Sequence, residues 1–287
     1  MDMRDESYSS TYLSINPTAQ SCIDIANDLV NNFNSQDEFL TNIAPILRKS
    51  IDEVIDMPRT QRYSLAQIEK TEKTYIGTKV EILLRHSLRL PKGNILDLQV
   101  EGKEVDIKNT IGSSWMIPKE AVNQHCLLVK INDKKGLFSI GVVYCSLANI
   151  SLGMNQDKKR SISSGNQAIF WIGKNIQMQK NFFENLNHDI CLQLTDPRVS
   201  GAERVRRLCT LVPNVVFNRY IVECVAQQKD SMKRLRSNGG ARDKLLSHGI
   251  HVLSGKYDQE KLKAFGFNNV NANEWVAVHP DSLTLTK

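Results

Sequence analysis

L-D-L-Q-V-E-G-K-E-V-D-I-K, residues 96–108, alternates apolar and polar positions on both sides of Glu101-Gly102. The alternation predicts two strands joined by a two-residue turn, because a period of 2 sends successive side chains to opposite faces. Gly102 accepts the left-handed backbone that so tight a hairpin needs. With Val100 opposite Lys103, counting outward sets Asp97 against Asp106 on one face, their Cβ atoms about 4.5 to 5.5 Å apart. Lys108 emerges on the same face, while Val105 and Ile107 point into the opposite layer.

Two facing carboxylates repel, so either one acid keeps its proton or a hard cation lies between them. Mg²⁺ suits the second case, since it takes one or two carboxylates and completes its shell with waters and phosphate oxygens. The Ile107 carbonyl is available as a further protein oxygen. Lys108 would then hold a water near the cation or stabilise charge on an attacked phosphate. Glu81, on the helix before the hairpin, could reach the same cluster. The plain alternative is a surface hairpin whose Asp106 and Lys108 face solvent, and Glu104, two residues before Asp106, is a confusable neighbour on that face.

Outward from the hairpin, residues 17–56 read as helices, with Ile23, Ala26, Leu29 and Val30, then Leu40, Ile43, Ala44 and Leu47, at helical spacing. Residues 71–90 form another helix, ended by Pro91, Gly93 and Asn94. Strands follow at 126–131 and 137–145, turned by N-D-K-K-G. This is an α/β (α+β) pattern, a mixed sheet flanked by helices. The amide-rich stretch 171–185 marks the passage to a second domain, with boundaries at 1–178, a linker at 179–195, and 196–287.

In that second part Val205, Leu208 and Cys209 predict one short helix, Phe217, Tyr220, Ile221, Cys224 and Val225 a second, Met232 and Leu235 a third, and Leu245 and Leu246 a fourth. Short strands are expected at 250–253 and 275–278. Helices ahead of a small β element are the layout of a winged helix-turn-helix.

The chain has 287 residues with a net charge of +6 at pH 7. Residues 1–60 hold 4 Lys/Arg against 10 Asp/Glu, whereas residues 61–180 hold 18 against 10. An acidic opening before basic later segments is the outline of a protein that meets a polyanion. No apolar stretch is long enough to cross a bilayer, and the M-D-M-R-D-E-S start lacks a secretory pattern, so a cytoplasmic chain with no membrane partner is expected. The six cysteines are dispersed and read as buried apolar residues. His188 and Cys191 have a ligand-like gap but no second pair to complete a zinc site.

Asn155, Asp157, Lys158, Lys159 and Arg160 are candidates for phosphate clamping or base-edge readout, against the bland reading of a solvated loop. In the second domain Lys233, Arg234, Arg236 and Arg242 surround Asn238-Gly239-Gly240, whose backbone N–H groups at a helix start could receive a phosphate. Gln227 and Gln228 are candidate base contacts. The alternative for the glycines is that they only cap one helix and begin the next.

These segments resemble the PD-(D/E)xK nuclease superfamily and, within it, the NaeI-type restriction endonucleases. The resemblance is carried by T-E-K-T-Y-I-G-T-K-V-E-I (71–82), the 96–108 hairpin, C-L-L-V-K (126–130) with L-F-S-I-G-V-V (137–143), N-Q-D-K-K-R-S-I-S (155–163) and V-A-Q-Q-K-D-S-M-K-R-L-R-S-N-G-G-A-R (225–242). It implies a bacterial-type enzyme with a restriction-endonuclease-like sheet followed by a winged-helix domain, in which Glu81, Asp97, Asp106 and Lys108 are catalytic and the acids bind Mg²⁺. It further implies a homodimer that cleaves double-stranded DNA at a palindromic site, leaving 5′-phosphate and 3′-hydroxyl ends, and that is activated by a second copy of the site. Asp106 stands where Glu is more frequent in the superfamily. A nickase or repair nuclease on the same core, and a non-catalytic winged-helix regulator, remain as alternatives. Strand passage would need Tyr75 or Tyr220 as a nucleophile, and neither has a supporting cluster.

Overall fold

A computed structural model describes residues 17–279; the M-D-M-R-D-E-S start of the chain lies outside them. The described chain forms two compact units. One takes in residues up to Val54 together with Ile68–Asn181, and the other takes Ile55–Gln67 and the chain from Phe182 on. Among the described residues no helix is long and apolar enough to cross a membrane.

The first unit opens with α1 (Pro17–Asn31) and α2 (Gln36–Ile55), followed, after a short excursion of the chain into the second unit through α3 (Met57–Thr60), by α4 (Lys70–Leu88). Helix α4 begins at a reciprocal capping box between Glu69 and Glu72 and buries Ile76, Val80, Leu84 and Leu88 along one stripe. Its sheet contains β1 (Leu98–Val100), β2 (Lys103–Thr110), β4 (His125–Asn132), β5 (Leu137–Tyr144) and β7 (Phe170–Gln177), in the order β1-β2-β4-β5-β7. Strands β2 and β4 run parallel and the other neighbours antiparallel, so the sheet is mixed. Strands β3 (Ser114–Ile117) and β6 (Arg160–Ser163) pair separately as a two-stranded ribbon.

The two faces of the sheet are covered differently. Ser21 of α1 bonds His125 at 2.8 Å through its Oγ and Nε2, and Leu40 of α2 packs so closely on Gly173 that a Cβ there would lie 2.6 Å from its Cδ2. The ribbon covers the opposite face: Trp115, Ile117 and Ile162 cluster with Cys126, Leu128, Val143 and Cys145. Gly173 therefore serves close packing inside β7, and the supposed passage at 171–185 begins as a strand.

In the second unit, α5 (His188–Thr195), α6 (Gly201–Leu211), α7 (Arg219–Ala226), α8 (Ala241–Leu246) and α9 (Gln259–Ala264) accompany an antiparallel sheet of β8 (Val216–Asn218), β10 (Glu274–Val278) and β9 (His251–Ser254), ordered β8-β10-β9. The change of unit falls after Asn181, within the expected 179–195 linker, but the end of that stretch is helical. Asn187 caps α5 by accepting the Asp189 N–H, a signal overshadowed by the polar residues around it. Phe217 belongs to β8 rather than to the helix predicted from its spacing, because Asn218 accepts the Ile221 N–H and starts α7 after it. The third expected helix is a 3₁₀ turn at Ser231–Leu235.

Candidate active site

The hairpin turn has Glu101 at φ 47° and Gly102 at φ 73°, the two left-handed residues of a turn whose twist matches its strands. Its register is Val100↔Lys103, Gln99↔Glu104 and Leu98↔Val105. Asp97 lies just before β1, yet its Oδ2 accepts the Ile107 N–H at 2.8 Å, so it stands across from Asp106 as the counting predicts. Lys108 Nζ donates to Asp106 Oδ1 at 2.7 Å and to the Ile107 carbonyl at 3.1 Å, and lies 4.0 Å from Asp97 Oδ2.

The environment opposes the charges it holds. Burial, then a hydrogen-bonding contact with the Asp97 carboxyl, pushes the Asp106 pKa up to about 7, although Lys108 pulls it down. Glu81 is raised from the usual carboxylate range by burial and by the charge and hydrogen bond of Asp97, with Arg85 and Lys108 opposing. Burial disfavours the Lys108 ammonium, but Asp106 and Asp97 outweigh it and raise its pKa above the usual value. Asp106 Oδ2 is buried and receives no N–H or O–H donor among the described residues.

Glu81, Asp97, Asp106 and Lys108 are thus brought into one electrostatic cluster. Among the described residues no three His, Cys, Asp or Glu side chains converge tightly enough to cage a metal by themselves. The donors present, two carboxylates and the Ile107 carbonyl, match a hard cation that completes its shell with water and phosphate oxygens. The donorless Asp106 Oδ2 is the atom that such a cation would satisfy.

Glu104 has a different task. Its carboxylate accepts the N–H groups of Asn94 at 2.7 Å, Ile95 at 3.2 Å and Leu96 at 2.8 Å, and these bonds, led by Leu96, hold its pKa below the usual value. A Cβ on Gly93 would lie 2.4 Å from Glu104 Oε2, so glycine is needed where the loop passes the clamp. Glu104 and Gly93 set the loop that delivers Asp97, a role absent from the sequence reading; the only signal is an acid beside a Gly-Asn turn.

The expected DNA contacts divide into committed and available groups. Asn155 closes its own turn, its Oδ1 accepting the Lys159 N–H at 2.9 Å, and Lys158 sits at φ 58° with Asp157 beside it on the exposed tip. Arg160 is spent on structure: Nη1 donates to the carbonyls of Ser151 at 2.7 Å and Leu152 at 2.6 Å. In the second unit Gln227 ends α7 in the left-handed region, Gln228 Oε1 accepts Arg234 Nε at 2.7 Å, and Lys233 pairs with Asp230 at 3.4 Å. The Gly239 N–H donates to Asp243 Oδ2 at 3.0 Å, and a Cβ on Gly240 would meet the Arg236 carbonyl, so Asn238-Gly239-Gly240 is a tight internal turn. Helix α8, which it opens, has only six residues, which leaves little dipole for a phosphate. Arg236 is exposed and Arg242 half-buried.

Comparison with known proteins agrees with this geometry. The pattern of the family described as Restriction endonuclease NaeI matches residues 27–279. The Type II restriction enzyme NaeI of Lentzea aerocolonigenes is 30% identical over 227 residues, covering 76% of this chain and 71% of that protein.

Proposed function

This chain belongs to the restriction endonuclease NaeI family, and from that membership we propose that it is a Mg²⁺-dependent type II site-specific deoxyribonuclease acting on a short palindromic duplex site. The observation that carries the chemistry is the cluster itself: three acids drawn together around one ammonium, with a buried Asp106 oxygen that lacks a donor. Such mutual repulsion is relieved when a divalent cation enters between the carboxylates.

In this reading Asp97, Asp106 and the Ile107 carbonyl hold the cation, and Glu81 completes the acidic set around it. When bound, Mg²⁺ supplies positive charge to the phosphate and makes nearby water more acidic. Lys108, fixed by Asp106 Oδ1, orients the attacking water and stabilises charge on the phosphate oxygens. The water oxygen bonds to phosphorus in line, the P–O3′ bond breaks, and 5′-phosphate and 3′-hydroxyl ends result.

The second unit is assigned to binding another copy of the site through a winged helix-turn-helix, with Arg236 and Arg242 the best-placed contacts, and a homodimer is assigned from the palindromic substrate. The test is digestion of a sequenced plasmid with the purified chain, with and without Mg²⁺. Unique mapped ends with Mg²⁺, and intact plasmid in EDTA, are expected. Intact plasmid in both would favour the DNA-binding regulator instead.

A further inference from the structure

The ribbon of β3 and β6 stands on the sheet face that carries the cluster. Its inner residues Trp115 and Ile162 pack with Cys126 and Leu128, and these two are the direct register partners of Asp106 and Lys108 on the neighbouring strand. Trp115 Nε1 also donates to the Val129 carbonyl at 2.8 Å, which pins the ribbon to β4.

Among the described residues the outer face is only partly covered: Ser114 and Ser161 are half-buried, Met116 and Ser163 exposed. Ser114 lies opposite Ser163, and Met116 opposite Ser161. Met116 on this face is 44% exposed. Lys158 and Lys159 border the β6 end, with Asp157 the one acid in that turn.

From this arrangement we infer that the β3–β6 ribbon enters the major groove of the substrate duplex, where Ser114, Met116, Ser161 and Ser163 determine which bases are accepted. The inference rests on the nuclease reading and deepens it. A two-stranded ribbon fits the width of the major groove, serine hydroxyls both donate to and accept from base edges, and a thioether offers an apolar contact for a thymine methyl. Successive outward residues on a strand lie about 7 Å apart, close to two base-pair steps. Ser114 follows Lys108 by six positions, at most about 22 Å of chain, so the ribbon stays within about six base pairs of the phosphate held at Lys108. The outer face carries no cation of its own, which suits base edges better than phosphates, and the lysines on its rim suit the flanking backbone. Those same lysines would repel a second copy of this face.

Two measurements test the inference. The first compares wild type with Met116→Ala and with the double variant Ser114→Ala/Ser163→Ala, using duplexes that carry the mapped site or single base-pair changes of it. The ratio of cleavage on the mapped site to cleavage on an altered site should fall at least about tenfold at one or more positions; unchanged ratios at every position overturn the ribbon's role. The second uses Met116→Cys, whose thiol is exposed whereas the native cysteines are all buried. In EDTA, its reaction with a maleimide should slow severalfold when duplex is added. Slow labelling without DNA and indifferent to it would assign the face to contact between copies and overturn the proposal. Protection of the Met116→Cys thiol by duplex, together with a wild-type chain that binds duplex but never cleaves it, would sink the nuclease reading while leaving the groove contact standing.

Discussion

The Ile107 N–H donates to Asp97 Oδ2 at 2.8 Å, so the backbone of one hairpin strand orients the acid of the other. Asp97 needs this bond because it lies outside β1 and has no ladder of its own. Asp97→Asn keeps an acceptor for that N–H and removes the charge, whereas Asp97→Ala removes both. Each should lower plasmid cleavage by at least about a hundredfold, with duplex binding retained by gel shift. The Asn variant should melt like wild type, and the Ala variant should lose about 1 kcal/mol. Wild-type cleavage by Asp97→Asn would remove Asp97 from the reaction.

Glu104 acts through position rather than contact with substrate. Its three backbone hydrogen bonds to residues 94–96 hold the loop that ends in Asp97. Glu104→Ala should displace Asp97 and reduce the cleavage rate by about ten- to a hundredfold, and Glu104→Gln, which keeps acceptor oxygen for part of the clamp, should fall between. The loss should appear in the single-turnover rate with duplex affinity little changed. A rate equal to wild type in Glu104→Ala would mean that the loop holds itself.

The hairpin was legible in sequence because alternation, a Gly turn and an apolar register all act locally and agree. What alternation cannot say is which of two acids on one face meets the cluster: Glu104 and Asp106 share a period, and only the folded loop at 94–96 separates them. The β3–β6 ribbon was harder still, since its four-residue strands come from segments more than forty residues apart and neither pairs within its own neighbourhood. Arg160 illustrates the same limit. A basic run reads as available charge, while its guanidinium is occupied by two carbonyls that sequence cannot place.

Arg204 predicts where the second unit is most vulnerable. It is 5% exposed and donates to four carbonyls, those of Val225, Ala226, Val199 and Asp196. This ties α6 to the end of α7, beside Gly201, where a Cβ would lie 2.3 Å from the Ala226 carbonyl. Arg204→Met fills similar volume but strands those acceptors, and should destabilise the unit by about 3 kcal/mol. Arg204→Lys should recover little, because an ammonium cannot reproduce the planar fork. Urea unfolding followed by hydrogen exchange in α6 and α7 reads this directly, and equal midpoints for wild type and Arg204→Met would refute it.

His125 predicts the acid limit of the first unit. Its ring is bonded to Ser21 Oγ at 2.8 Å and meets Tyr144 edge-on at 5.0 Å between centroids. Burial, with Lys103 nearby, pushes its pKa down to about 4, below the usual value near 6.5. The folded state therefore holds the neutral ring while the unfolded chain takes up a proton as the pH drops below that usual value. The sign follows: the stabilisation is complete above about pH 6.5 and drains away as pH falls toward 4, amounting to at most about 3 kcal/mol. His125→Gln keeps a partner for Ser21 and cannot titrate, so the difference in melting temperature between wild type and variant should shift against wild type across that window. Parallel melting curves for the two proteins from pH 7 to pH 4 would show that His125 ionises alike in the folded and unfolded states.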